Sequence, residues 1–394
     1  MQYHNDLTVE LLQQLIRIPS ENNGVTGYEN DVQVFYADWL KQHGIEAQLI
    51  YPENIPGFDQ LPGRLLEHSM RNRPIVIASL KGNRPGIKRL FLAHADTVPV
   101  GDLSGWDDSP FSGKIENGNI YGRGSSDDKW GLAVMASLLL TLKSEGCNFP
   151  GEVIIASVPD EESGGGNGTL AAIVSIQGAD EAIYLDGGSN QTLWACGLGG
   201  GFCNVFGDDH EKITKVLMAE KESIRNRLNE HPGFGPDFFP MIEKQFYSVA
   251  EAADGSVGCF MDILPGDNEE DLKARIEAQL PGCKFKWMTR FLQPHDVAQE
   301  THLVKTLCSS FQRVTGRELV IIGGVQSDTG LVNHFGKIPC VAFGCGRRGL
   351  PGSSHQYNEF VEIRQCRKWK THFLPCAERI DIQRRCGTPD HVIK

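Results

Sequence analysis

Apolar residues recur along this chain with two different periods. In residues 7–18 and 28–43 they return every three to four positions, which places them on one side of a helix. Three later segments predict helices as well: 131–144, 170–175 and 302–315. Short apolar runs of strand length lie at 47–51, 74–80, 88–93, 152–158, 182–185 and 338–343. Strands that alternate with helices predict an α/β fold, with a mostly parallel sheet flanked by helices.

The pattern changes between about residues 191 and 290. Predicted elements follow in the order strand, helix, strand, strand, helix, strand, at 194–206, 211–228, 246–253, 256–264, 268–280 and 283–289. This order is typical of the ferredoxin-like arrangement. We therefore predict a main domain formed by residues 1–190 and 292–394, with a second domain, residues 191–291, inserted into it.

Composition and charge exclude several classes of partner. The 394 residues carry a net charge of −12 and no basic tract, which argues against binding to nucleic acid or to an anionic membrane. The longest uncharged apolar run, residues 130–142, is shorter than the roughly 18 residues of a membrane span. It predicts a buried helix. The N-terminus has no pattern of a secretory signal, so we expect a cytoplasmic protein.

Cysteine spacing supports the same compartment. The 11 cysteines are scattered and form no CxxC pair. In a long chain without a secretory pattern, free thiols in a reducing cytosol are the expected state.

Histidines and acidic residues gather where predicted strands end and in two loops rich in Gly and Ser. They are His94, Asp127, Glu161, Glu162, Asp186 and His355. Ligands of parallel sheets lie beyond the carboxyl ends of the strands, so these distant residues are expected to meet there. Two His and several carboxylates favour zinc or a similar divalent ion, and two ions about 4 Å apart can share one carboxylate.

Two further residues fit such a site. Asp96 follows His94 by two positions on the same strand face, and it could hold the second ring nitrogen. In the Glu161–Glu162 pair, one carboxylate could bind metal while the other moves a proton between water and a leaving amine. Each residue also has a plainer interpretation: a hydrogen-bonded His–Asp pair, a helix N-cap, a solvated turn or a surface His. The residues alone leave these alternatives open.

Four motifs occur in the order and approximate spacing of one family. They are His94-Ala95-Asp96-Thr97-Val98-Pro99, Gly122-Arg123-Gly124-Ser125-Ser126-Asp127-Asp128-Lys129, Asp160-Glu161-Glu162-Ser163-Gly164-Gly165 and Gly352-Ser353-Ser354-His355-Gln356-Tyr357-Asn358-Glu359. Through them nearly the whole chain resembles the co-catalytic zinc metallopeptidase and deacylase family. That family includes acetylornithine deacetylase, succinyl-diaminopimelate desuccinylase, glutamate carboxypeptidase and aminoacylase.

The resemblance implies a metal centre with an assigned ligand set. It implies two zinc ions, for which cobalt or manganese could substitute. His94 and Asp186 would bind one ion, Glu162 and His355 would bind the other, and Asp127 would bridge them. The main domain would then be catalytic, while the inserted domain would act as a lid and as the contact surface of a homodimer.

The resemblance also implies an activity. Glu161 would be the general acid/base, Asp96 would orient His94, and the Asp127–Asp128 peptide bond is expected to be cis. The implied substrate is an N-acyl amino acid with a free carboxylate, whose amide bond is hydrolysed. Two alternatives stay open: a dipeptidase or carboxypeptidase of the same family, and a non-catalytic metal- or amino-acid-binding protein that retains the fold.

The chain departs from the family in three places. Lys129 is normally followed by Gly in the family, whereas this chain has Trp130 there. The family usually has a His-Ser-Gly-like motif in the inserted domain, but residues 197–206 contain no His, and His210 is the first candidate. The family often places an Arg for the substrate carboxylate within a stretch that corresponds to residues 323–330. That Arg is missing here, and Arg347 and Arg348 could compensate.

Overall fold

The computed structural model describes residues 2–176, 178–187, 191–235, 238–246, 248–345 and 352–365. Its helices are α1 Gln2–Ile16, α2 Asn30–Gln42, α3 Lys129–Ser144, α4 Asn167–Ser175, α5 His210–Glu230, α6 Phe238–Phe246, α7 Glu269–Gln279, α8 His302–Thr315 and α9 Thr329–His334. Its first eight strands are β1 Ala47–Ile50, β2 Ile75–Lys81, β3 Arg84–His94, β4 Ile115–Glu116, β5 Asn119–Tyr121, β6 Pro150–Val158, β7 Glu181–Tyr184 and β8 Thr192–Gly197. The others are β9 Gly199–Phe206, β10 Val249–Glu251, β11 Val257–Ile263, β12 Lys284–Trp287, β13 His295–Asp296, β14 Val320–Gly324, β15 Cys340–Ala342 and β16 Phe360–Glu362. Gly188, Arg347, Arg348, Cys366, Cys376 and Cys386 lie outside the described residues.

A nine-stranded sheet organises the larger part of the described chain. Its order is β1-β2-β6-β3-β7-β15-β8-β13, with β14 paired to β8, and the central pairs β6–β3, β3–β7 and β7–β15 are parallel. Side chains of β3 alternate between two cores: Phe91 and Ala93 join one hydrophobic cluster, Leu90 and Leu92 the other. A central strand buried on both faces explains the continuous apolar runs. The predicted α/β class is confirmed.

Helix α3 packs in the larger of these two cores. All its residues from Lys129 to Leu142 are buried, which confirms the buried helix predicted from the apolar run. No helix among the described residues is long and apolar enough to cross a membrane. Because α3 begins two residues after Asp127, its packing also fixes the loop that carries this candidate ligand.

A second, four-stranded sheet has the order β10-β11-β9-β12, with every neighbouring pair antiparallel. Taken with α5 and α7, this is the predicted ferredoxin-like arrangement, which is confirmed. The unit has a hydrophobic cluster of its own, from Cys196 to Phe291. The exact domain limits at 190/191 and 291/292 stay a prediction.

Two predicted elements of this region differ from the structure. The strand predicted at 194–206 is two strands, since β8 belongs to the large sheet and β9 to the small one. The glycines between them allow a close approach: a Cβ at Gly200 would lie 2.3 Å from the Met261 carbonyl oxygen. Helix α6 was not predicted, because it follows a segment rich in Gly and Pro, and β10 is accordingly shorter than expected.

The cysteines of the described residues all carry free thiols, as predicted. Two of them, Cys203 and Cys259, lie opposite each other on β9 and β11, with 3.8 Å between their sulfur atoms.

Candidate metal centre

The candidate ligands converge because three parallel strands end side by side. Strand β3 ends at His94, which pairs with Val158 at the end of β6, and Leu92 pairs with Tyr184 at the end of β7. The turns that follow β6 and β7 carry the acidic residues. The loop before α3 brings in Asp127, and the loop before β16 brings in His355. The register of the sheet, together with these loops, thus gathers residues from five separate parts of the chain.

The Asp127 carboxylate lies between two imidazoles. Its Oδ1 is 2.9 Å from His94 Nε2, and its Oδ2 is 3.1 Å from His355 Nε2. His355 Nε2 is also 2.7 Å from Glu162 Oε2. These spacings approach the roughly 3.3 Å between two ligands of one tetrahedral zinc ion with bonds of about 2.0 Å.

Two groups of three ligand atoms are compact enough to hold an ion. One consists of His94, Asp127 and Glu162, and the other of His94, Glu161 and Asp186; within each group the atoms lie within 4.8 Å of one another. The structure therefore brings together all six residues that the sequence placed near the metal. Glu161 is itself a member of the second group, with 3.9 Å between its Oε2 and His94 Nε2.

The buried carboxylates of this cluster favour the binding of cations. Burial, reinforced by the neighbouring Asp127, raises the pKa of Glu162 to about 7, and burial raises the pKa of Glu161 well above its usual range. Burial also opposes ionisation of Asp127, but hydrogen bonds from His355 and His94 outweigh it and hold the pKa of Asp127 low. Buried carboxylates at this spacing repel one another. Divalent ions would remove that repulsion, so the residues fit a metal centre.

Asp96 supports the site mainly through the turn after β6. Its Oδ2 accepts hydrogen bonds from the backbone N–H groups of Glu161 and Glu162, at 2.9 and 3.0 Å, and from the Asn22 amide at 2.9 Å. His94 Nδ1 lies 3.0 Å from the Asp96 carbonyl oxygen and 3.7 Å from its carboxylate. The Asp96 backbone thus faces the second ring nitrogen, while its carboxylate holds the Glu161–Glu162 turn.

A buried ion network anchors the same turn from behind. Asp160, whose φ of 71° is left-handed, accepts a 3.1 Å bond from Arg73 Nη1 and lies 2.9 Å from His68 Nδ1. Arg73 also donates two hydrogen bonds to Glu29, and the Arg73 side chain is wholly buried. Sequence reasoning missed this network, because nothing local marks Arg73 or Glu29 as partners.

Glu359 holds the loop that carries Asp127. Its carboxylate accepts hydrogen bonds from the backbone N–H groups of Gly124, Ser126 and Asp127, and from Arg123 Nη1 at 2.8 Å. The Asp127–Asp128 peptide bond is cis, as expected. Glu359 was noticed only as the last residue of a motif. Its position four residues after His355 was the one available signal.

A cavity of about 430 Å³ lies next to the cluster and extends to the ferredoxin-like unit. Val325 and Gln326, from the stretch without the expected Arg, line it. His210 does not line it: this residue begins α5, is partly exposed, and its Nδ1 lies 2.8 Å from Glu251. Within one chain, His210 therefore does not supply the missing His of the inserted domain. Arg347 and Arg348 lie outside the described residues.

Comparison with known proteins places this fold and site in a defined class. Residues 90–373 match the model of peptidase family M20/M25/M40. The chain is 32% identical over 355 residues to a succinyl-diaminopimelate desuccinylase of Methylococcus capsulatus, covering 81% of this chain and 92% of that protein. The chain belongs to the M20/M25/M40 peptidase family, and so to the metal-dependent hydrolases that act on amide bonds.

Other relatives are matched over a shorter length. A succinyl-diaminopimelate desuccinylase of Methylorubrum extorquens is 32% identical over 163 residues, 41% of this chain and 37% of that protein. Among solved structures, the M20 family metallo-carboxypeptidase Sso-CP2 from Sulfolobus solfataricus superposes with a TM-score of 0.68 at 17% identity, covering 93% of this chain and 98% of that one. This structural likeness supports the fold alone.

Proposed function

We propose that this chain is a dinuclear zinc-dependent amidohydrolase that cleaves the amide bond of an N-acyl amino acid. The observation that carries the proposal is the Asp127 carboxylate, whose two oxygens face His94 and His355 at 2.9 and 3.1 Å. Asp127 would hold both ions, with His94 and Asp186 completing one site and Glu162 and His355 the other. When bound, such ions polarise the scissile carbonyl and make water a better nucleophile at neutral pH.

Glu161 is the proposed general acid/base. It lines the cavity, beside the candidate ligands but on a turn held by the Asp96 carboxylate. Burial raises its pKa, which suits a carboxylate that accepts a proton from the attacking water and passes it to the departing amide nitrogen. The networks around Asp160 and Glu359 keep Glu161 and Asp127 in place during this transfer.

The desuccinylase relatives support a deacylase, which is why an N-acyl amino acid is the first choice of substrate. A dipeptidase or carboxypeptidase is the alternative, supported by the match to a family of peptidases. A non-catalytic binding protein is a third hypothesis, motivated by the absence of a His from residues 197–206. We further propose a homodimer, formed through the inserted domain, in the cytoplasm.

The test combines metal analysis with a substrate panel. Purified protein is assayed for bound metal, and hydrolysis of N-acetyl amino acids, N-succinyl amino acids and dipeptides is followed with added zinc or cobalt. About two equivalents of metal with turnover of one N-acyl class are expected. Turnover of dipeptides alone would favour the peptidase. Tight binding of an amino acid ligand without any turnover would contradict hydrolysis and favour the binding protein.

A further inference from the structure

The cavity has a second side, which faces the metal centre across the space for substrate. We call it the lid wall. It consists of Ile242, Phe246, Phe260, Asp262, Leu292, Val325 and Gln326. Five of these seven side chains are apolar, so the group of the substrate that meets this wall contacts mainly hydrocarbon.

The alternation of β11 produces the lid wall. Cys259, Met261 and Ile263 point into the core of the ferredoxin-like unit, while Phe260 and Asp262 point the other way, into the cavity. Opposite Asp262 on β9 stands Gly200, where a Cβ would lie 2.3 Å from the Met261 carbonyl oxygen, so the glycine lets β11 pack closely against β9.

The one charged side chain of the lid wall is the acidic Asp262, and it already has polar partners. Asp262 is buried, accepts a 2.5 Å hydrogen bond from Gln326 Nε2, and lies 4.0 Å from Lys221 Nζ. Lys221 stands behind the wall, because its ammonium donates to the Phe260 carbonyl and lies 4.6 Å from the centre of the Phe246 ring. Among the described residues that line the cavity, none is Lys or Arg.

A buried guanidinium nearby does not change this picture. Arg290 donates to the Asn167 side chain at 2.7 Å, and its Nη1 would lie 2.8 Å from a Cβ at Gly166, so it stands behind the Gly164–Gly166 turn. It is not among the residues that line the cavity. Gly330, in the stretch 323–330 that lacks the expected Arg, has no room for an Arg side chain either. A Cβ there would lie 2.0 Å from the Gln293 carbonyl oxygen.

From this geometry we propose that the lid wall selects an uncharged, apolar group and rejects a carboxylate there, so that succinyl-type substrates are excluded. A carboxylate placed against the wall would lose water, find no cation among the described lining residues and face Asp262. The proposal rests on the proposed amide hydrolysis and deepens it, because it separates this chain from the desuccinylases that it is similar to.

Two isosteric substrate pairs test the selectivity. The first compares N-(4-methylpentanoyl)-alanine with N-succinyl-alanine, and the second compares N-acetyl-leucine with N-acetyl-aspartate. In each pair only a carboxylate is exchanged for an isopropyl group, while the α-carboxylate stays constant. In the pair whose varied group meets the lid wall, kcat/KM for the uncharged member should be about 100-fold higher.

Calorimetric binding of both pairs to the zinc-loaded Glu161→Gln variant is measured in parallel, so that the preference is read out without turnover. Equal or stronger use of the charged member in both pairs would overturn the proposal while leaving amide hydrolysis intact. Loss of all turnover with the apolar preference kept in binding would instead contradict the proposed function.

A pair of variants locates the effect in the lid wall. Gln326→Arg keeps hydrogen-bond donors for Asp262 and adds a positive charge in the cavity, so the charged substrate should gain at least about tenfold in kcat/KM relative to the uncharged one. The control is Gln312→Arg, which adds the same charge at an exposed position on α8. An equal change in both variants would contradict a role of the lid wall. Thermal unfolding confirms that both are folded.

Discussion

The two sides of the cavity are held in place by different interactions. On the metal side, three buried carboxylates, Asp96, Asp160 and Glu359, each contact three or more hydrogen-bond donors. On the lid wall, packed side chains such as Phe246 and Phe260 prevail. Hydrogen bonds are directional, whereas apolar packing tolerates changes of shape. Directional hydrogen bonds therefore hold the candidate ligands in place on the metal side, while packed side chains shape the lid wall, to which we assign selectivity.

The largest expected effect comes from the chemistry itself. Glu161→Gln keeps the shape of the side chain but removes the proton acceptor, so kcat should fall at least about 10³-fold. Bound metal, measured by elemental analysis, should stay unchanged. Glu211→Gln, at an exposed position of α5, is the matched control. Substantial residual turnover of Glu161→Gln would exclude this residue as the general acid/base.

The buried network of the metal side should dominate stability. Arg73→Met leaves the Glu29 and Asp160 carboxylates buried without their cation, which should cost about 3–5 kcal/mol in free energy of unfolding. Lys215→Met, in the exposed Lys215–Glu211 pair, should cost less than about 0.5 kcal/mol. Urea unfolding measures both. Similar losses in the two variants would show that the network is not a special support of the site.

The junction between the two sheets should respond to pH. His295 begins β13 beside Gly197; burial alone lowers its pKa to about 4, and neither ring nitrogen has a partner among the described residues. The unfolded chain therefore takes up a proton near pH 6.5, before the folded one does. Stability is lost as pH falls from 6.5 towards 4, by up to about 3 kcal/mol.

His295→Leu should remove this loss and leave the stability at pH 7 unchanged or higher. The measurement is urea unfolding of both proteins at pH 7 and pH 4.5, with the difference between the two pH values compared. An identical acid loss in the two proteins would mean that His295 is not the group responsible.

A smaller effect is expected where Glu359 positions Asp127. Glu359→Gln weakens several hydrogen bonds to the loop without changing the side chain of any candidate ligand, so metal affinity or kcat should fall about 10- to 100-fold. Glu362→Gln, three residues further along in β16 and paired with Arg364, is the matched control. Competition with a zinc chelator measures the affinity. Unchanged affinity and turnover would show that Glu359 does not position Asp127 for metal binding.

Sequence periodicity was sufficient where a segment has one environment along its length. The apolar runs of β3 and β6, and the apolar helix α3, lie in cores that demand such residues, so their type could be predicted. It failed for α6 and for the division between β8 and β9. The chain passes from one sheet to the other between β8 and β9, and Gly200 lies close to Met261 of another strand. No local sequence pattern records either fact.

The sequence by itself pointed to the candidate ligands and to Glu161, because the four motifs that carry them resemble those of one family. Only the tertiary structure revealed the buried support from Glu29, Arg73 and Glu359, and only it assembled the lid wall. These contacts join segments that lie far apart along the chain. Strand register and packing determine which of these residues meet. Burial makes their hydrogen bonds important for stability, because an unpaired polar group inside a protein is costly.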